Sequence, residues 1–138
     1  MEAKEEKAQQ IYAEFQALNQ HIKQLQKQLE LITNQLVEMS VTNNSLDELD
    51  KIKVGKDIYV PISSGIFAKA TIQDTSQLLV NVGANVVVKK DVTSTKKLIQ
   101  KQIAEIREIQ KRLLDELDKM TNHAAKLEMQ LQNLISEG

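Results

Sequence analysis

Two histidines, two adjacent serines, a short glycine turn and many carboxylates are the residues of this chain whose types could do covalent or acid–base chemistry. His21 and His123 each fall just before a core slot of a helical heptad, with no paired carboxylate at the spacing a metal site needs. They read as surface histidines. Ser63 and Ser64 stand near Pro61 and Gly65 with no histidine close in sequence, so nothing there supplies the base that a serine nucleophile requires. Gly83-Ala84-Asn85 follows a strand-like run but lacks the further glycines and the Lys-Ser/Thr ending of a phosphate loop, and a hairpin turn accounts for it. The acidic residues alternate with lysines along helix faces, and no Asp/Glu pair falls in an apolar setting that would shift its pKa. Without cysteine there is no disulfide, thiol catalysis or cysteine-held metal. The expectation is a non-enzyme with no catalytic residue, no cofactor and no metal.

What remains is apolar contact, and the elements that would present it are helical. Apolar side chains at Ile11, Phe15, Leu18, Ile22, Leu25, Leu29, Ile32, Leu36 and Met39 alternate four and three residues apart, which is a coiled-coil seam. A second seam runs through Ile99, Ile103, Ile106, Leu113, Leu117, Met120, Ala124, Leu127, Leu131 and Leu134. Gln110 takes one of its core slots; either it stays there and fixes register at some cost, or Ile109 rotates in. A chain that folds back between the seams brings Met39 to Ile99 and Ile11 to Leu127. The first helix is expected over 4–44 and the second over 92–137, the latter capped by Thr93 or Ser94. Ser40 to Ser45 should fray the first helix, because these residues compete with helical backbone bonds, and Ser45-Leu46-Asp47-Glu48 suits a separate capped turn.

Between Gly55 and Asp91 the period becomes strand-like. Ile58 to Val60, Ile66 to Ile72, Leu78 to Val82 and Val86 to Lys89 are β-branched runs separated by turn residues, which predicts two hairpins within the block 45–91. Pro61 makes the first strand an edge or bulged strand. Leu79 and Val87 break the inside–outside alternation, so some strands are apolar on both faces. Four short strands with few aromatics are marginal alone, and pairing with neighbouring subunits would cover their edges. The fold class is therefore α+β: a long antiparallel two-helix coiled coil with two central β-hairpins whose edges call for partners, one unit over 1–138.

Antiparallel pairing also gathers Tyr12, Met129 and Ile135, three apolar residues on wheel positions that should face water, at the free end of the helix pair. The same pattern admits ordinary flank packing, since Leu31, Ile109 and Leu114 are off the seam too. As a contact site it would be of low specificity, with methionine adapting to many shapes. Eighteen basic against 19 acidic residues give no net field for nucleic acid or an anionic membrane. The charged N-terminus has no apolar leader core, and no apolar run approaches a membrane span, so a cytoplasmic protein is expected.

The order coiled coil, two-hairpin block with Val60-Pro61-Ile62, Asp74-Thr75-Ser76, Val80-Asn81-Val82-Gly83-Ala84-Asn85 and a Val-Lys-Lys ending, then coiled coil, resembles the archaeal prefoldin alpha subunit over essentially the whole chain. It departs from the family at Ser63-Ser64-Gly65-Ile66-Phe67, where a more glycine-rich turn is common. The resemblance implies an ATP-independent holdase: a hexamer of two alpha and four prefoldin beta subunits, in which the two central β-hairpins contribute to an oligomeric β-barrel and the coiled-coil tips capture non-native client proteins and pass them to a group II chaperonin. Client contact is then expected at Ile11, Tyr12, Phe15, Met129, Leu131, Leu134 and Ile135, and assembly through Ile58, Val60, Ile66, Phe67, Ile72, Val80, Val82, Val86 and Val88. The alternative is a structural coiled-coil tether or scaffold without chaperone activity.

Overall fold

The computed structural model describes residues 2–136. In chain order it contains α1 (Glu2–Lys51), β1 (Asp57–Ser63), β2 (Ile66–Thr71), β3 (Leu78–Gly83), β4 (Val86–Lys90) and α2 (Val92–Ser136). Two long helices and two small antiparallel hairpins make it an α+β chain; the expected helix end at 137 lies outside the described residues. Two compact units emerge, one of α1 up to Leu36 with α2 from Ile106, the other spanning Val37–Glu105.

In the first unit the helices pack through the seam that the heptads predict. Every seam position there is buried or half-buried, with Leu25 and Leu127 at only 4 % exposure. Direction follows from two cross-helix contacts. Glu14 meets His123 at 3.2 Å and Thr33 meets Gln110 at 3.3 Å, so residue numbers rise along α1 as they fall along α2: the pair is antiparallel. The Glu14–His123 contact lies three residues after Ile11 and four before Leu127, beside the pairing expected from the sequence. Gln110 keeps its half-buried core slot and Ile109 stays exposed.

In the second unit α1 does not fray at Ser40 to Ser45; it continues to Lys51, and no separate capped turn forms at Ser45-Leu46-Asp47-Glu48. Two hydroxyls that could have competed with the helix instead bond back to it, Thr42 Oγ1 donating to the Glu38 carbonyl at 3.0 Å and Ser45 Oγ to the Val41 carbonyl at 2.9 Å. The four–three spacing also runs on past Met39, through half-buried Asn43 to buried Leu46. Asn43 leaves its Oδ1 buried without a partner among the described residues, a polar slot tolerated inside an otherwise apolar seam.

The cap of α2 is Asp91 rather than Thr93 or Ser94. Its carboxylate accepts the Ser94 backbone N–H at 2.6 Å, and buried Thr95 bonds back to the Asp91 carbonyl. Lys96, one turn in, reaches Asp47 at 2.6 Å and Asp50 at 2.8 Å on the last turns of α1.

Each hairpin is a two-stranded sheet, and the two are not hydrogen-bonded to one another. β1 pairs with β2 from Asp57↔Thr71 to Ser63↔Ile66, with a register shift between Pro61 and Ser63 that places the expected bulge beside the proline. β3 pairs with β4 from Leu78↔Lys90 to Gly83↔Val86. Ala84 and Asn85 both adopt positive φ, 52° and 60°, as the centre of a tight turn whose backbone twist matches the strands.

Candidate functional site

The apolar residues gathered in the first unit come from the N-terminal part of α1 and the C-terminal part of α2. Tyr12 is 51 % exposed, Met129 64 % and Ile135 69 %, as their off-seam wheel positions require. Phe15, Leu131 and Leu134 are half-buried, and Ile11 is buried at 8 %. Tyr12, Phe15, Leu131, Glu128 and Gln132 line a shallow groove of about 230 Å³. A second depression of about 350 Å³ is lined by Ile11, Leu134, Lys7, Gln130 and Asn133. The Tyr12 hydroxyl accepts a hydrogen bond from Gln16 Nε2 at 3.0 Å one turn along, which satisfies its polar end and leaves the ring available.

These grooves offer shape-tolerant apolar contact with polar edges. No convergent acid, base or nucleophile lines them, and among the described residues no group of three metal-ligating side chains occurs. His21 is exposed; His123, also exposed, faces Glu14. Ser63 ends β1, Ser64 lies in the first hairpin turn, and Gly83-Ala84-Asn85 makes the second. No described helix is long and apolar enough to cross a membrane.

In the second unit, Ile58, Ile72, Val80 and Val88 are half-buried, while Val60, Ile66, Phe67, Val82 and Val86 are exposed. The apolar surface is wider than the nine residues expected for assembly. Tyr59, Ile62, Leu79 and Val87 are exposed as well, Leu79 at 73 %. The broken alternation at Leu79 and Val87 was the signal for this, since a strand apolar on both faces exposes one of them in an isolated ribbon.

The family model described as prefoldin subunit matches residues 18–137. A prefoldin subunit alpha from Methanobrevibacter smithii is 32 % identical over 119 residues, covering 84 % of this chain and 74 % of the relative. The chain belongs to the prefoldin family, in its archaeal alpha class. A prefoldin subunit alpha from Thermofilum pendens is 25 % identical over 115 residues, covering 83 % of this prefoldin and 89 % of the relative. The fold matches a chain of filamentous PFD from Methanocaldococcus jannaschii, seen by cryo-EM, with a TM-score of 0.62 at 20 % identity, over 90 % of this chain and 97 % of that one. Two hairpins between two heptad helices are thus the prefoldin arrangement, with the apolar helix ends left as its unpartnered chemistry.

Proposed function

We propose that this prefoldin subunit is part of a cytoplasmic α2β4 hexamer that holds non-native proteins without ATP and passes them to a group II chaperonin. The observation that carries the reading is the exposure of Tyr12, Met129 and Ile135 beside half-buried Phe15, Leu131 and Leu134, next to no group that could do chemistry. An unfolded chain presents scattered apolar side chains in no fixed geometry. A surface that recognises it must be apolar, shallow and adaptable, as methionine and leucine at helix ends are. Ile11 joins the contact surface when the last turns splay apart. The hairpins support assembly because a two-stranded ribbon with both faces apolar is marginal by itself, and Val80, Val82, Val86, Val88, Ile58, Val60, Ile66, Phe67 and Ile72 would be covered by neighbouring subunits.

The test is to remove two turns from both helix ends, assemble the shortened chain with a prefoldin beta subunit, and measure light scattering of a diluted denatured protein. Loss of aggregation suppression by a complex of the expected mass supports the reading. Full suppression by that complex refutes it, and a full-length complex that never suppresses aggregation leaves the tether or scaffold.

A further inference from the structure

The near-neutral total charge conceals a segregation within the chain. Residues 51–97 carry eight lysines against three aspartates, a balance of +5 in a chain whose total is −1, and this stretch holds neither glutamate nor arginine. All three aspartates are engaged: Asp57 accepts from Thr71 Oγ1 and pairs with Lys69 at 3.4 Å, Asp74 accepts from the Ser76 backbone N–H and hydroxyl at 2.8 and 2.6 Å, and Asp91 caps α2. Lys51, Lys53, Lys56, Lys89 and Lys90 have no carboxylate within 4.0 Å among the described residues.

Three of these lysines, Lys51, Lys53 and Lys56, gather at one end of the second unit. The Asp50–Lys96 contact at 2.8 Å brings the last turn of α1 against the first turn of α2, so the connector that leaves α1 and the strand that feeds α2 start from the same place. The connector folds into a concavity of about 460 Å³ lined by Lys51, Ile52, Lys53, Val54, Gly55 and Lys56. Val54 is 65 % exposed, so the lining alternates ammonium and aliphatic groups. The connector's backbone is already anchored, Gly55 N–H donating to the Ile72 carbonyl at 2.7 Å and Lys56 N–H to Lys53 at 3.2 Å, which leaves its side chains as the groups on offer.

We propose that this lysine-lined concavity docks an acidic segment of a partner protein, one that alternates carboxylates with aliphatic residues. The pattern favours peptide over nucleic acid. Lysine is a point charge without the planar fork that grips phosphate in two places, no arginine stands among these residues, and no aromatic lines the concavity for a base to stack on. Ile52 and Val54 between the lysines instead match the aliphatic positions of such a segment. The site is separate from the client surface proposed above and is occupied independently of it.

The probe is a fluorescein-labelled peptide of alternating glutamate and leucine, titrated by anisotropy into the assembled complex at low salt. Lys53→Gln with Lys56→Gln should weaken binding about tenfold. Lys119→Gln with Lys126→Gln should leave it unchanged. Should the first variant fold poorly by circular dichroism, Lys51→Gln with Lys53→Gln takes its place with the same expected loss. An excess of unfolded client should not displace the peptide. Four results overturn the proposal: equal affinity in the lysine variant; displacement by client; tighter binding of a single-stranded oligonucleotide of equal charge; or loss of particle mass in the lysine variant, which would make the patch a contact between subunits.

Discussion

Gln110 of α2, half-buried in an apolar seam, donates its side-chain N–H to the exposed Thr33 hydroxyl of α1 across 3.3 Å. A buried polar residue in a coiled coil costs stability and penalises every register that leaves it unpaired. Gln110→Leu should therefore raise the unfolding free energy by about 1 kcal/mol and at the same time loosen the alignment. Disulfide trapping between cysteines placed at 14 and 123, and at positions shifted by a heptad, reads the second effect. One product is expected in the parent chain and more than one in the variant.

Leu25 and Leu127 are among the most buried side chains in the first unit. Leu127→Ala should cost about 2–5 kcal/mol, because the removed methyl groups leave a hole that two helices can close only partly. The midpoint of urea unfolding checks this. The exposed Leu114→Ala should shift that midpoint little.

The cap of α2 gives an acid-side prediction. The Ser94 backbone N–H, and then its side chain, hold the Asp91 carboxyl below its ordinary value of 3.8. A depressed carboxylate pKa contributes stability that is present above the unfolded value and lost as pH falls through the folded one. Asp91→Ala should lower the thermal midpoint at neutral pH, with the difference shrinking below about pH 4 as the parent carboxyl protonates. Asp91→Asn caps without titrating and should lose less at neutral pH.

Lys96 behaves oppositely. Its hydrogen bonds to Asp47 and then Asp50 raise its pKa above 10.5. A raised lysine pKa contributes stability that is complete below the unfolded value and disappears as pH climbs through the folded one. Lys96→Met should lower the thermal midpoint at neutral pH, and the gap to the parent should close in strongly alkaline buffer and narrow in high salt.

Val80 and Val88 face each other across β3 and β4, half-buried in the isolated chain. Val80→Asp should abolish co-assembly with a beta subunit in native mass measurements while leaving the helical circular dichroism signal, since β3 is hydrogen-bonded to β4 alone.

The seams, both hairpins, the proline bulge and the glycine turn were legible in the sequence because apolar period and turn chemistry are local properties. The continuation of α1 through Ser40 to Ser45 was hidden by residue type: Ser, Thr and Asn usually end helices, yet here Thr42 and Ser45 satisfy their hydroxyls on the preceding turn. Asn43 and Leu46 did extend the four–three spacing, so weighing period above propensity would have found it. The cap was missed by two or three residues because Asp91, Thr93 and Ser94 are all competent, and only backbone direction selects the one whose carboxylate meets Ser94 N–H. The exposure of Tyr12, Met129 and Ile135 followed from the wheel. Which molecule covers them is a property of the partner and leaves no mark on the periodicity.

A photo-crosslinking amino acid placed singly at Tyr12, Met129 or Leu114 in the assembled complex, with a denatured client added before irradiation, shows whether clients meet the apolar helix ends. Client adducts are expected from positions 12 and 129, with few from 114. Equal adduct yields from all three, or adducts from 114 alone, would rule out the helix ends as the client surface.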